Sequence, residues 1–226
     1  MTGRVIAITG AFGVLGSALA RAAAGQGASL ALIDYAKAPL ASGDALVLPG
    51  VDLTDQVQAA AALAAVGERY GRIDALLNIA GGFVWEKIEG QDPSRWADLF
   101  KLNVVTAANA SRAAIPHLRK SSSGRIVNVG SAAALKAGAG MGAYAAAKAG
   151  VHALTQALAE ELKGEGITVN AVLPSVIDTP ANRADMPDTD PAIWVAPDDL
   201  AAVTLFLAGE ASTAVTGALV PVTGRV

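Results

Sequence analysis

Short, unbroken apolar runs alternate along the chain with longer stretches in which apolar positions recur every three to four residues. The runs are Arg4 to Thr9 (R-V-I-A-I-T), Ser29 to Asp34 (S-L-A-L-I-D), Ala45 to Pro49, Arg72 to Gly82, Arg125 to Ser131, Ile167 to Pro174 and Ala218 to Val222. Runs so short and apolar predict strands buried on both faces. The intervening stretches predict helices from Ser17, from about Thr54 to Tyr70, from about Pro93 to His117, from about Gly142 to Gly164, and from Pro197 to Ala208. Strands alternating with helices along the chain predict an α/β class: a single doubly wound parallel sheet with helices on both faces, and ligand at the carboxyl ends of the strands. No internal repeat or linker interrupts it, so residues 1–226 read as one domain.

The helix from Gly142 carries an apolar stripe of Ala147, Val151, Leu154, Leu158 and Leu162. Ala146, Ala149, Ala153 and Ala157 leave much of its remaining surface small and apolar as well. Such a helix calls for a second covering layer beyond the sheet.

Composition narrows the class. Hydrophobic residues make up 53% of the 226 and charged ones 16%, ample for a large core. The net charge is -3 and there is no basic tract, which argues against a nucleic-acid partner. Without cysteine there are no disulfides, thiol nucleophiles or thiolate metal sites. Between Arg4 and Arg21 the chain carries no charge, and S-A-L-A before Arg21 imitates a signal peptide with its cleavage site. Regularly spaced glycines break that run, and a strand, a turn and a helix account for all of it. No apolar run approaches the ~18 residues of a membrane span. The expectation is a soluble, cytoplasmic protein.

Candidate chemistry begins after the first strand. Gly10, Gly13 and Gly16 punctuate G-A-F-G-V-L-G between strand and helix, the context in which glycines let backbone approach a pyrophosphate at a helix N-terminus. Asp34 ends the second strand, eighteen residues after Gly16, where a carboxylate accepts from ribose hydroxyls and repels a 2′-phosphate. The next residue is Tyr35 and no arginine is adjacent, though Lys37 is near. NAD is therefore favoured over NADP.

The densest chemistry lies from Ser131 to Lys148. Tyr144 and Lys148 are four apart on a helix and share one face, while Ser131 follows the strand R-I-V-N-V-G. A phenol titrates near pH ~10 when free, and a neighbouring ammonium is expected to lower that value. A drop of about three units, with a nicotinamide charge adding to it, would correspond to about 4 kcal/mol and give an acid/base group matched to neutral pH.

Ser131, Tyr144-x-x-x-Lys148 and Asn103 in K-L-N-V-V together resemble the short-chain dehydrogenases/reductases, a Rossmann-type family, and the likeness spans nearly the whole chain. The resemblance implies a catalytic set of Asn103, Ser131, Tyr144 and Lys148. It implies dinucleotide contacts from Gly10, Phe12, Gly13, Val14, Leu15 and Gly16, and from Asp34. Asp52 and Leu53 would lie beside the adenine; Asn78, Ala80 and Gly81 stand in an N-I-A-G element, with Asn78 more structural than catalytic. Pro174 would lie at the nicotinamide end, where the Ile177 backbone and the Thr179 hydroxyl would contact the carboxamide, and Tyr144 and Lys148 would meet the ribose. Asn103 would distort its helix locally. Residues near 175–197, polar and proline-rich, would form a short lid, and Ala133, Trp85, Met141 and Ile177 a compact apolar substrate pocket. Family members bury the helix that matches Gly142 to Gly164 between subunits, so a homodimer or homotetramer is expected.

The sequence departs from the family pattern at three places. Val14 stands where T-G-x-x-x-G-x-G has its middle glycine, Ile79 replaces the second asparagine of N-N-A-G, and Ser175 replaces a turn glycine. Asp52 and Thr54 equally suit a helix cap.

Other chemistries fit less well. Ser131 is not in G-x-S-x-G, and His117 and His152 are the only histidines. His152 lies two turns from Tyr144 and reads as a packed or interface residue. A zinc site and an NTPase loop are not expected, and no metal is. The expected function is an NAD-dependent oxidoreductase interconverting a secondary alcohol and a ketone. Two alternatives are a dinucleotide-binding scaffold or redox sensor with vestigial catalytic residues, and a dehydratase or epimerase on the same fold.

Overall fold

The computed structural model describes residues 1–37 and 43–226, and within them every strand joins one parallel sheet. The strands are β1 (Val5–Thr9), β2 (Ser29–Ile33), β3 (Leu46–Leu48), β4 (Ala75–Asn78), β5 (Arg125–Val129), β6 (Thr168–Pro174) and β7 (Leu219–Val222). Their spatial order is β3-β2-β1-β4-β5-β6-β7. The direction of winding reverses between β1 and β4, which opens a crevice at their carboxyl ends.

Alternation along each strand explains the two covering layers. Ile6 and Ile8 of β1, Leu77 of β4 and Val127 of β5 face a core closed by helices α1 (Val14–Gly25) and α7 (Pro197–Ala208). Their neighbours Ala7, Leu76 and Ile126 face the opposite core, closed by α2 (Gln56–Tyr70), α4 (Thr106–Leu118) and α5 (Gly142–Leu162). Among the described residues no helix is long and apolar enough to cross a membrane.

The expected helix from Pro93 to His117 is three segments in one course. Helix α3 (Ser94–Phe100) passes through a π-helical stretch, Lys101–Val105, into α4. Asn103 lies in that stretch and donates its Nδ2 to the Leu99 carbonyl four residues back at 3.0 Å. The side chain thus occupies the carbonyl that a regular turn would use, and the wider turn follows. The helix expected from Thr54 begins instead at Gln56, because Asp55 caps it through the Val57 and Gln58 amides. Asp52 makes a local turn with Thr54, accepting its amide and hydroxyl at 2.8 and 2.7 Å.

Candidate active site

Glycine geometry at the β1–α1 turn follows from close approach. Gly10 has φ +62°, and a side chain there would lie 2.8 Å from the Ala80 amide nitrogen. A side chain at Gly16 would lie 2.2 Å from the Gly10 carbonyl oxygen. Gly13 is different, since its nearest neighbour would be that same oxygen at 3.5 Å, an ordinary contact. Thr9 ties the turn to β4: its Oγ1 accepts the Ile79 and Ala80 amides at 3.1 and 3.2 Å.

A cleft of about 1040 Å³ opens above this turn. Gly10, Phe12, Gly13, Val14, Leu15 and Gly16 line its floor. Val14, 43% exposed, stands in the first turn of α1, where an anion bound at the helix N-terminus would meet it. Asp34 lines one wall, with Oδ2 accepting the Phe12 amide at 2.8 Å and Oδ1 the Ala36 amide at 2.9 Å. Each oxygen keeps a lone pair for a hydroxyl donor. Asp52, Leu53, Ala80, Gly81 and Thr179 complete the expected set on the wall.

Five expected contacts do not line the cleft: Tyr144 and Lys148, described below, and Asn78, Pro174 and Ile177. Asn78 is buried and does not line the cleft; its Nδ2 donates to Ser111 Oγ at 3.0 Å and Asn128 Oδ1 at 2.8 Å. It clamps β4 to β5 and α4, because a polar group in the middle of a sheet must be satisfied within it. Pro174 is buried as the last residue of β6. Ile177 packs against the α1–α7 core, pairs with Val195 in an isolated bridge, and offers its carbonyl to Asn182 Nδ2 at 2.7 Å. Its side chain therefore belongs to the core rather than to a substrate pocket.

Some wall residues carry no signal in the motifs. Asp98, Lys101, Leu102 and Thr106 reach the cleft from the helical course around Asn103, and Pro180 and Ala181 from helix α6 (Pro180–Asp185). Only the π-helical displacement and the cap that Thr179 gives α6 aim them there, and neither shows as periodicity. The segment 175–197 is ordered, with α6 held by an Arg183–Asp178 ion pair and anchored by buried Trp194 and Val195.

The structure brings Ser131, Tyr144, Lys148 and Asn103 together beside the cleft. Ser131 sits just past β5 and its Oγ accepts the Ala133 amide at 3.1 Å, which leaves the hydroxyl proton to be donated. Lys148, buried on α5, donates Nζ to the Val129 carbonyl at 2.8 Å, and Nζ lies 5.8 Å from the centre of the Tyr144 ring. Asn103 accepts the Gly82 amide at 3.2 Å and donates to its carbonyl at 3.1 Å. A side chain at Gly81 would lie 2.6 Å from Asn103 Oδ1 and 3.5 Å from Lys148 Nζ, so the two meet across that glycine. A chain of buried hydrogen bonds, Ser111–Asn78–Asn128–Thr155, locks α5 against β5 and sets this geometry.

Acidity runs opposite to the expectation for the phenol. Burial raises the Tyr144 pKa, with the Ser131 hydroxyl pulling the other way, and the lysine charge is not what governs it. Burial also brings Lys148 down from 10.5 to about 8. The same loss of water disfavours phenolate and ammonium alike, and at this separation it outweighs their attraction.

Aromatic side chains gather on the outer side. Phe83 meets Tyr144 edge to face at 4.9 Å. Trp85 lies over Gly140, whose φ is +75° and whose side chain would come within 2.4 Å of the indole. Trp96 lies against Gly142. The Glu86 amide donates to the Gly140 carbonyl at 2.9 Å and its carboxylate faces Arg95 at 3.6 Å, holding the loop to α3. The Phe83–Tyr144 contact lies between segments that sequence spacing does not relate.

Comparison with known proteins places this arrangement among relatives. A family model described as short chain dehydrogenase matches residues 4–190. The chain is 31% identical to D-beta-hydroxybutyrate dehydrogenase of Rhizobium meliloti, with 96% of each covered. It is 34% identical to meso-2,3-butanediol dehydrogenase of Serratia marcescens, over 98% of this chain and 93% of that one. Among solved structures, carveol dehydrogenase from Mycobacterium avium in complex with NAD superposes with TM-score 0.87 at 28% identity, covering 99% of this chain and 97% of the other.

Proposed function

The chain belongs to the short-chain dehydrogenases, and on that premise we propose an NAD-dependent oxidoreductase that interconverts a secondary alcohol and a ketone, with Tyr144 as its acid and base. The observation that carries this reading is the convergence of a serine hydroxyl, a phenol and a buried ammonium beside a cleft floored by glycines. The cleft suits a dinucleotide: Gly10 and Gly16 let the turn pack directly on the backbone of Ala80 and Ala11 beneath the cleft floor, and Asp34 stands ready for ribose hydroxyls. Bound nicotinamide supplies the hydride in reduction and takes it in oxidation.

Tyr144 gives a proton to the carbonyl oxygen in reduction and removes one from the hydroxyl in oxidation. Ser131 turns its hydroxyl proton to the same oxygen and steadies charge developing there. Lys148 holds the nicotinamide ribose, and with a pKa of about 8 it passes protons outward past Asn103. Gly10 to Gly16 cradle the diphosphate against the amides of α1, while Asp52, Leu53 and Thr179 flank the two ends of the cleft.

Phe83, Trp85, Trp96 and Met141 favour a compact, uncharged substrate with an apolar substituent. The exposed alanines Ala146, Ala149, Ala153 and Ala157 on α5 support a homodimer or homotetramer built on that helix. The functional test is a panel of neutral secondary alcohols and matching ketones with NAD and NADH, followed by nicotinamide absorbance. Turnover of at least one pair supports the reading. Binding of NADH without turnover of any pair would mark the site as a sensor.

A further inference from the structure

We propose that His152 is a positioning residue for Ser131, its imidazole Nε2 accepting the Ser131 main-chain amide and fixing the serine at the tip of β5. The contact is 3.3 Å long and both residues are buried. An acceptor Nε2 places the ring proton on Nδ1. The ring lies on Gly130, where a side chain would come within 2.5 Å of Nε2, so the glycine before the serine makes room for this imidazole.

The surroundings assign the histidine a specific task. Three main-chain groups at the end of β5 need partners: the Val129 carbonyl, the Gly130 amide and the Ser131 amide. Strand β6 takes one, since Gly130 donates to the Val172 carbonyl at 2.9 Å. Helix α5 takes the other two, through Lys148 Nζ and His152 Nε2, one helix turn apart. The helix that carries Tyr144 therefore holds the strand tip that carries Ser131 from both sides of Gly130. A misplacement of about 1 Å at such a site costs on the order of 100-fold in rate. Burial and the Lys148 charge hold the imidazole below its ordinary pKa, which keeps it neutral and accepting. His152 touches no reacting atom and acts through Ser131.

The catalytic consequence rests on the role of Ser131 proposed above, whereas the hydrogen bond does not, and the experiment separates them. Amide hydrogen exchange at Ser131 is measured by NMR in the full chain, with steady-state turnover of the best alcohol from the panel and fluorescence titration of NADH. His152→Leu is expected to speed Ser131 exchange about tenfold or more and lower kcat about tenfold, with NADH affinity within about threefold. His152→Gln, whose Oε1 can accept in the same place, is expected to restore protection and most of kcat. Unchanged exchange in the leucine variant overturns the proposal, as does a glutamine variant as impaired as the leucine one. Should the leucine variant not fold, imidazole nitrogen shifts in the wild type decide: an unprotonated Nε2 supports the proposal, and a protonated one overturns it. A wild type with protected Ser131 but no turnover would sink the proposed function and leave the hydrogen bond standing.

Discussion

Lys148 holds the carbonyl of Val129 at 2.8 Å, two residues ahead of Ser131, from a site where burial brings its pKa to about 8. The ammonium is thus kept in place by one main-chain dipole in a position that favours losing its proton. That combination works against stability.

The linkage gives a direct test. The folded chain releases the Lys148 proton near pH 8, whereas the ordinary lysine value of 10.5 applies once unfolded. Between those values the unfolded state binds more protons, so stability from this group rises with pH; below 8 the full cost remains, about 3 kcal/mol. Lys148→Met removes that cost but leaves the Val129 carbonyl unpaired, which returns about 1 kcal/mol. Urea unfolding at pH 7 is expected to find the variant about 1–2 kcal/mol more stable and inactive, with the advantage gone by pH 10.5. A variant less stable at both pH values would contradict the buried charge.

Gly13 and Gly16 of the first turn are expected to differ sharply. Gly13→Ala meets nothing closer than 3.5 Å and should change NADH affinity by less than about threefold. Gly16→Ala would press its methyl to 2.2 Å from the Gly10 carbonyl and should abolish binding or folding. Fluorescence titration with NADH, alongside thermal unfolding, separates the two; equal losses would mean the turn is not packed as described.

Asp34→Ala tests cofactor choice. The side chain accepts the Phe12 and Ala36 amides, so its removal loosens the cleft floor as well as the ribose wall. NAD affinity is expected to fall about tenfold or more while NADP loses less, because repulsion of a 2′-phosphate goes too. An unchanged ratio of the two dissociation constants would count against Asp34 as the discriminating group.

Much of this architecture is legible in the sequence because its signals are local. The strands from Val5 and Arg125 are unbroken apolar runs, and the glycines sit between a strand and a helix. The π-helical turn at Asn103 is invisible to periodicity, since one residue's Nδ2 on the Leu99 carbonyl decides it. For Ile177 as a pocket residue the signal is absent, because position beside a ligand cleft does not say whether a side chain turns toward the cleft or the core, whereas Asn78 has the structural place expected of it. Asn78 turns into the sheet to satisfy Ser111 and Asn128, and Ile177 packs against the α1–α7 core. The phenol's acidity misread because sequence gives the spacing of Tyr144 and Lys148 but not their burial, which shifts both groups toward neutrality.

The central claim is that the Tyr144 hydroxyl carries the proton to the carbonyl oxygen whose carbon accepts the hydride. The most direct measurement compares NADH consumption by the wild type and by Tyr144→Phe on the same ketone, with NADH affinity titrated in both. The account predicts turnover lower by about a thousandfold, within the usual worth of a positioned acid, and affinity within about threefold. A phenylalanine variant that keeps more than about a tenth of wild-type turnover would contradict it.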